Sequence, residues 1–423
     1  MRVFLGIHEI CGHYKNLEKG MRELGHQADF ISVVPNNLFY GDNSQKSKIV
    51  RMWQSANGLR ASTPRSRFFK KTFTVLFAKI LNMLMTLYVA KKYDVLFFGY
   101  GMSITNSSWE LWLYKKLNKN VNFIFHGSDS RPPYLAGRFC NTEDVNYEAI
   151  RTTAEKTKEN IKRIEKYATN IINWMPQAYF HERKYVNLLS LGLAVDIEYN
   201  YSDEVEGFDS KKPVRVLHCP SSANKSTDAI SVAINNLKNK GHNIDFVVVS
   251  GKPNEEVLTE ICKCDFLVDS LYSDNPLATL AVEAAKYGKP TVVGGYLYNE
   301  IGKWFPKGII PPVLYVHPKK IENGIEKLIT ETEFRLDLGR KAFDYVNTEW
   351  SLKQIAKNYI LLAQGAVSED WVCDPLDIDY MQGVIAEDRA KDVVRNMIQI
   401  YGVESLQLSD KPKLLKAFIE FSM

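Results

Sequence analysis

The sequence has few cysteines and little excess charge of either sign. Its six cysteines stand far apart except for one C-x-C at Cys262 and Cys264, a spacing typical of neither a zinc site nor a disulfide framework. We therefore expect reduced thiols in the cytoplasm. The formal net charge of +5 comes from 54 basic and 49 acidic residues, which indicates no nucleic-acid partner.

Long uninterrupted apolar runs are also lacking. The start, MRVFLGI, passes straight into a polar segment, so we expect no signal peptide and a cytoplasmic protein. The most apolar segment, Phe68–Ala90, contains three lysines and an asparagine and is a poor transmembrane span. With the arginines before it, the segment predicts either a long helix packed on a sheet or a peripheral contact with an anionic membrane. These polar residues are Arg60, Arg65, Arg67, Lys70, Lys71, Lys79 and Asn82.

A length of 423 residues suits two domains, and the apolar pattern repeats accordingly. Short apolar runs alternate with segments of helical spacing, first from Val3 to Phe125 and again from Val214 to Val293. This alternation favours parallel sheets covered by helices on both faces. The fold class predicted is α/β, with two Rossmann-like doubly wound domains facing each other across a cleft.

The polar stretch 198–212 separates the two series and predicts the hinge. We place an N-terminal domain at 1–200, a second domain at 205–365 and a C-terminal extension, helical late, at 366–423. Helical patterns at 319–330, 333–347 and 352–363 are expected to close the second domain.

The loop DSLYSDNPLATLAVEAAKYGKP, from Asp269 to Pro290, carries the clearest chemistry. Ser273 or Asp274 can cap a helix whose first turn holds Pro276. Free N–H groups at its start would bind an anion such as a pyrophosphate, and Glu283 could accept hydrogen bonds from a ribose. An ordinary capped helix with a surface glutamate remains the alternative. The expected anion-binding residues are Leu277, Ala278 and Thr279.

Two loops of the first series also end apolar runs with polar groups. HGSDSR, His126 to Arg131, offers His126 to a transferring sugar and Asp129 to an acceptor hydroxyl, with Arg131 on the acceptor side. A buried structural histidine is the competing interpretation. In HEICGHY, Glu9 and His13 either contact a ligand or only cap the next helix.

These loops together resemble the retaining GT-B glycosyltransferases of the glycogen synthase and mannosyltransferase-like superfamily. That superfamily has two glutamates separated by seven residues. Glu283 stands at the position of the second glutamate and is followed by A-A-x-x-G-K-P, whereas Asn275 stands at the position of the first. HCPSSANKSTD, from His218, is similar to its H-x-P-S-x-x-x-K-G-T-D pattern without the usual arginine. HGSDSR is similar to its H-G-x-D segment, and Gly12 is what remains of its glycine pair. Donor contacts are thereby implied for Ser221, Ser222, Lys225 and Asn275.

The resemblance implies transfer of a hexose-type sugar from a nucleotide-sugar donor to a saccharide or lipid-linked acceptor, with retention and without a metal or other cofactor. Assembly of a surface polysaccharide or glycolipid is the implied pathway. Two alternatives stay open. One is a nucleotide-sugar epimerase, although its paired acid and base carboxylates are not apparent; the other is a scaffold that binds without turnover, which Asn275 and the missing arginine favour.

Overall fold

The structure is a computed structural model that describes residues 1–33, 47–199, 212–220, 226–305 and 310–423. The chain forms two compact units, each composed of three stretches of sequence. Unit 1 comprises Met1–Arg131, Glu155–Ala194 and Leu352–Ile378. Unit 2 comprises Pro132–Ala154, Val195–Ser351 and Asp379–Met423.

Unit 1 is built on a seven-stranded sheet in the order β12-β6-β5-β4-β3-β1-β2. All neighbouring strands are parallel except β12, which pairs antiparallel with β6 through Val372 and Val186. The strands are β1 (Arg2–Ile7), β2 (Gln27–Ser32), β3 (Val95–Gly99), β4 (Asn120–Ile124), β5 (Asn170–Asn173), β6 (Tyr185–Asn187) and β12 (Val372–Cys373).

The helices of unit 1 connect these strands and cover the sheet. α1 shows why they form: Gly12 adopts φ 77° before it, and Tyr14, Leu17 and Met21 bury one face at helical spacing. The helices are α1 (His13–Glu23), α2 (Lys48–Ser62), α3 (Phe68–Lys92), α4 (Ser108–Lys116), α6 (Tyr147–Glu165, of this unit from Glu155), α7 (Leu188–Leu191) and α14 (Leu352–Ala363).

Unit 2 contains a five-stranded parallel sheet in the order β11-β10-β9-β7-β8. Its strands are β7 (Val214–His218), β8 (Ile244–Val248), β9 (Phe266–Val268), β10 (Thr291–Gly294) and β11 (Leu314–Val316). Its helices are α5 (Gly137–Cys140), the start of α6, α8 (Thr227–Asn239), α9 (Asn254–Lys263), α10 (Thr279–Lys286), α11 (Ile301–Trp304), α12 (Ile321–Thr330), α13 (Thr332–Asn347), α15 (Glu387–Tyr401) and α16 (Pro412–Ser422).

Helices cover both faces of the unit 2 sheet, and successive side chains of a strand point to opposite faces. Val216 packs with Ile234 of α8 and Ile325 of α12 on one face. Its neighbour Leu217 packs with Ile261 of α9 and Ala284 of α10 on the other. The predicted doubly wound arrangement of two α/β domains is therefore confirmed, whereas the predicted cleft between them stays a prediction.

The compact units differ from the predicted ranges at the C-terminal end. We expected α14 to close the second domain, but it packs on α1 of unit 1, where Leu352 and Ala356 lie against Gly20. The expected separate extension also divides. Its first part adds β12 to the unit 1 sheet, and its residues from Asp379 belong to unit 2, where the Tyr134 hydroxyl donates to the Leu406 carbonyl at 2.9 Å.

Among the described residues, α3 is long and apolar enough to cross a membrane by length and composition, a test that a buried helix of a soluble protein also passes. One side of α3 is buried, with Trp53 of α2 donating from Nε1 to Asn82 Oδ1 at 2.7 Å. α3 is thus an integral part of unit 1.

Candidate functional site

The strand order of unit 2 reverses between β7 and β9, with β8 on one side and β10 and β11 on the other. Parallel sheets bind ligands beyond the carboxyl ends of their strands at such a reversal. Residues 219–226 and the loop 269–278 follow these two strands in the chain. Ser221, Ser222 and Lys225 lie outside the described residues, so their donor contacts stay predictions.

Loop 269–278 crosses the end of β10 in close backbone contact. The Ser273 N–H donates to the Gly294 carbonyl at 2.8 Å, and the Tyr315 hydroxyl donates to the Ser273 carbonyl at 2.7 Å. A Cβ at Gly294 would collide with the carbonyl of Leu271, and one at Gly295 with the carbonyl of Ser273. The glycine pair of TVVGGY therefore permits the path of this loop.

The helical spacing from Leu277 to Tyr287 predicts the helix after this loop, which begins at Thr279, two residues later. Ala278 is the residue before it, and neither Ser273 nor Asp274 caps it as expected. Asn275 Oδ1 instead accepts the Leu277 N–H at 3.0 Å, which keeps this amide from an anion.

The open amides of this helix lie further along the chain. The first N–H groups of an α-helix have no partner within the helix, which here leaves those of Thr279, Leu280 and Ala281. An anion-binding role is accordingly retained for Thr279 and shifted away from Leu277. Ala278, with ψ 168°, is extended and leads the chain into the helix.

Glu283 lies one turn beyond these amides and is only 6% exposed. Burial raises the pKa of its carboxyl to about 7, although a hydrogen bond from Asn254 opposes the shift. Asn254 begins α9 just after β8, so Glu283 lies near the carboxyl edge of the sheet. A ligand hydroxyl that donates to this carboxyl would stabilise its charged form.

His218 braces the strands on both sides of the reversal. It ends β7, and its Nδ1 lies 2.8 Å from the carbonyl of Val268 at the end of β9. Because a carbonyl only accepts, Nδ1 carries a proton, and Nε2 lies 3.1 Å from the Thr227 hydroxyl. This histidine positions the start of α8.

A group of partly exposed aromatic rings follows β9, β10 and β11, and sequence reasoning missed it. The Tyr296 ring lies 6.1 Å from that of Tyr272 and 5.4 Å from that of His317, and the Tyr298 ring lies 5.6 Å from His317. Flat apolar faces of this kind stack on nucleobases. The two tyrosines in GGYLYNE, directly after a buried strand, were the available signal.

In unit 1 the strand order reverses between β1 and β3, and His8 and Tyr100 follow these strands. Their rings meet edge to face with centroids 6.4 Å apart, and Nε2 of His8 is buried with no hydrogen-bond partner among the described residues. Burial lowers the pKa of His8, which keeps the ring neutral. The sequence analysis included this loop but did not propose His8 as a site residue. Its position directly after β1 was the signal that could have identified it.

His126 follows β4 and belongs to the same edge of the sheet. Its Nε2 lies 2.8 Å from the Tyr14 hydroxyl, and its ring contacts that of His13. Burial, with the nearby His13, lowers the pKa of His126 to about 3. The ring is therefore a neutral hydrogen-bonding group at physiological pH.

The loop after His126 is braced by Asp129. Its Oδ1 accepts the N–H groups of His126 at 3.0 Å and Gly127 at 2.8 Å. Burial raises the pKa of Asp129 to about 6 even though these bonds and Arg131 oppose the shift. Gly127 has φ 134°, which favours glycine, and Arg131 lies beside it. In this structure Asp129 shapes the loop that presents His126.

The loop after β1 favours the capping interpretation for Glu9, whereas His13 is a buried structural residue. Glu9 accepts the N–H groups of Tyr14 at 3.1 Å and Lys15 at 3.0 Å at the start of α1. His13 is 4% exposed; its Nδ1 accepts from the Ala194 N–H at 3.0 Å, and Nε2 lies 3.2 Å from the Tyr359 hydroxyl. The expectation that His13 touches a ligand is corrected by this burial. Gly12 supplies the left-handed turn before α1.

No group of three or more histidine, cysteine, aspartate or glutamate residues within the described ranges is placed to hold a metal ion. All six cysteines are free thiols.

No protein-family model and no curated protein matches the chain. Several solved structures, however, are similar to it. Sucrose-phosphate synthase from Thermosynechococcus elongatus is similar over 86% of this chain and 98% of its own, at 15% identity and a TM-score of 0.51. The catalytic domain of starch synthase IV from Arabidopsis thaliana, bound to ADP and acarbose, is similar over 86% and 99%, at 12% identity and a TM-score of 0.49. Anabaena HepE in complex with UDP-glucose is similar over 86% and 99%, at 11% identity and a TM-score of 0.45.

At such low identities the likeness establishes the fold. The chain has the GT-B fold, two Rossmann-like units, as the sequence resemblance implied.

Proposed function

We propose that this protein is a cytoplasmic glycosyltransferase that moves a hexose-type sugar from a nucleotide-sugar donor to a saccharide or lipid-linked saccharide. Assembly of a surface polysaccharide or glycolipid is the proposed setting. The proposal combines the GT-B fold with the chemistry of polar groups at the carboxyl edges of the two sheets, where ligands of such sheets bind.

The observation that carries the proposal is the arrangement on α10. Open amides at Thr279, Leu280 and Ala281 suit a diphosphate, and buried Glu283 one turn later suits the vicinal hydroxyls of a ribose. The rings of Tyr272 and Tyr296 on neighbouring loops suit a nucleobase. Together they match the three parts of a nucleoside diphosphate.

The acceptor side of the proposal rests on unit 1. The buried Nε2 of His8 has no hydrogen-bond partner in the part of the chain that the structure describes, and His126 is held by Tyr14 and presented by a glycine-dependent turn. Both rings are neutral at physiological pH and can exchange hydrogen bonds with sugar hydroxyls. We propose His126 as the contact to the transferring sugar and His8 as the contact to the acceptor hydroxyl.

The proposed transfer retains the anomeric configuration and requires neither a protein nucleophile nor a metal. Negative charge develops on the departing nucleoside diphosphate, and amides fixed at a helix start stabilise it without reorganising. Lys225, proposed as a further phosphate contact, would supply a point charge. The acceptor hydroxyl then attacks from the face that the diphosphate leaves, and its proton passes to an oxygen of the departing diphosphate.

A scaffold without turnover is the second candidate, and one observation favours it. Asn275 stands where the resembled superfamily has a carboxylate, and its Oδ1 is occupied by the Leu277 amide. Only its amide nitrogen is left for a donor sugar.

Thermal stabilisation by a panel of UDP-, GDP-, ADP- and CMP-sugars tests the proposal. A donor at a hundred times its dissociation constant adds about 2.7 kcal/mol of stability, which gives a clear rise in melting temperature. Product formation with an acceptor extract then separates transferase from scaffold, and conversion of the donor alone would indicate an epimerase. The proposal fails if no nucleotide-sugar stabilises the protein.

A further inference from the structure

The α2–α3 hairpin of unit 1 exposes an apolar face that the proposed function does not use. Its side chains recur every three or four residues along α3, so they form one stripe, and the stripe is well exposed: Phe69 at 88%, Phe73 at 68% and Leu76 at 58%. The α3 apolar face consists of Phe69, Phe73, Leu76, Phe77, Ile80, Met83, Leu84 and Leu87.

The charge around this face has a single sign. No aspartate or glutamate occurs between Asp42 and Asp94, whereas lysines and arginines are frequent there. Lys70 and Lys79 are exposed on the two sides of the apolar stripe, and Arg65 and Arg67 precede α3. The complete set between Lys48 and Lys92 is Lys48, Arg51, Arg60, Arg65, Arg67, Lys70, Lys71, Lys79, Lys91 and Lys92.

The two helices of the hairpin are held together by hydrogen bonds on their other sides. Asn82 Oδ1 accepts from Trp53 Nε1 at 2.7 Å and from Asn57 Nδ2 at 2.9 Å, and Lys71 Nζ donates to the Thr63 carbonyl at 2.8 Å. A helix held in this way does not leave its partner to span a bilayer. Its exposed face is available to a surface.

The position of the face follows from three contacts. Gln54 Nε2 donates to the carbonyl of Ser32, the last residue of β2, which places this level of the hairpin at the carboxyl edge of the sheet. Trp53, beside it, is level with Asn82. Lys92 Nζ, at the end of α3, donates to Asp29 Oδ2 of β2 at 2.8 Å, so α3 runs from Asn82 back along this strand. The segment from Phe69 to Asn82, about 20 Å of helix at about 1.5 Å per residue, therefore extends from the carboxyl edge in the opposite direction.

From these observations we infer that the α3 apolar face docks this protein on a bilayer containing anionic lipids, with α3 lying in the plane of the interface. Apolar side chains enter the boundary between head groups and acyl chains, and the flanking lysines and arginines attract the anionic head groups. A second copy of the chain is a poorer occupant, since it would bring Lys70 and Lys79 against lysines with no acidic residue to pair with. Docking in this way brings the carboxyl edge of the unit 1 sheet close to the membrane.

Flotation of the full chain with vesicles tests this inference without any donor or acceptor. With about 30% phosphatidylglycerol in phosphatidylcholine, the bound fraction should exceed that for pure phosphatidylcholine at least about tenfold. The variant Phe73→Gln/Leu76→Gln/Ile80→Gln should lose this binding by about tenfold or more and keep its melting temperature, because glutamine is a good helix former at exposed positions. Trp109→Gln/Trp112→Gln, which removes exposed rings from α4 of the same unit, is the matched control and should bind as the wild type does.

Charge is tested separately by Lys70→Gln/Lys79→Gln, which should weaken binding to anionic vesicles severalfold and leave binding to neutral vesicles unchanged. Three outcomes overturn the inference: no binding of the wild type to anionic vesicles, equal loss in the Trp109→Gln/Trp112→Gln control, or a dimer in light scattering that the three-residue variant abolishes. Because no sugar is present, failure here leaves the proposed transferase activity unaffected, and failure of donor binding leaves docking unaffected.

Discussion

The Tyr14 hydroxyl lies 2.8 Å from Nε2 of His126, which joins the start of α1 to the loop after β4. Tyr14 is fully buried, and its hydroxyl packs against Gly99 at the end of β3, where a Cβ would collide with it. The Tyr14 side chain therefore connects the carboxyl ends of β1, β3 and β4, which are neighbours in the sheet. The ring of His126 takes its orientation from this contact.

Tyr14→Phe removes the hydroxyl with little change in shape. It leaves a buried ring nitrogen without this partner, so we expect a loss of stability of about 1 to 2 kcal/mol in urea unfolding. If His126 contacts the transferring sugar, turnover should fall further than donor affinity does. Wild-type stability and turnover in Tyr14→Phe would remove this contact from the proposed site.

Glu283→Gln should separate stability from donor binding. Folding raises the pKa of this carboxyl from 4.5 to about 7, so its contribution to stability is complete below pH 4.5 and is lost as the pH rises through 7. At pH 8 the variant should therefore be more stable than the wild type, by about 1 kcal/mol or more, while its donor affinity falls at least about tenfold because a charged acceptor is lost.

The measurement for Glu283 is a series of urea titrations at several pH values with donor calorimetry beside them. Glu333→Gln, an exposed position on α13 of the same unit, serves as the control and should alter neither property. Unchanged donor affinity in Glu283→Gln would refute the proposed ribose contact.

Unit 1 should lose stability in mild acid through His13 and His126. Burial lowers their pKa values to about 4 and about 3, below the ordinary value of 6.5. The unfolded chain therefore binds protons first, and stability present above pH 6.5 falls as the pH drops, with a slope approaching about 1.4 kcal/mol per pH unit for each histidine.

Hydrogen exchange of α1 between pH 7 and pH 4.5, corrected for intrinsic rates, checks this dependence. His13→Gln should flatten the slope, and His242→Gln in unit 2 should not. An identical slope in wild type and His13→Gln would show that other groups control the acid response.

Two helical glycines of unit 1 should respond to alanine in opposite ways. At Gly20 a Cβ would stand 2.9 Å from the Leu352 carbonyl and 3.0 Å from Ala356 Cβ, so Gly20→Ala should destabilise by about 1 to 3 kcal/mol through displacement of α14. At Gly58 of α2 nothing lies within 4 Å, and Gly58→Ala should stabilise by up to about 1 kcal/mol through helix propensity. Equal effects in thermal unfolding would contradict the packing of α14 on α1.

Much of the fold could be predicted because the strands of parallel sheets are short buried runs with a period that the sequence displays. The apolar run Val214–Leu217 predicts β7 and the helical spacing of Asn254–Cys262 predicts α9, each within one residue of the structure. The sequence pattern does not predict β5, β6, β11 and β12, each of which has four residues or fewer. The start of α10 was predicted two residues early, because Asn275 turns the chain by accepting the Leu277 amide.

The sequence by itself determined the alternation of strand and helix, the glycines that allow close backbone approach, and the loops in which polar groups gather. Tertiary structure alone decided that His13 is buried, through partners 181 and 346 residues away, and that a ring nitrogen of His8 is buried without a partner among the residues described. It also decided that α14 joins unit 1 and that one side of α3 stays exposed. Local patterns reflect backbone preference and the period of burial, whereas these outcomes depend on which distant surfaces meet, and a single sequence carries no local signal for that.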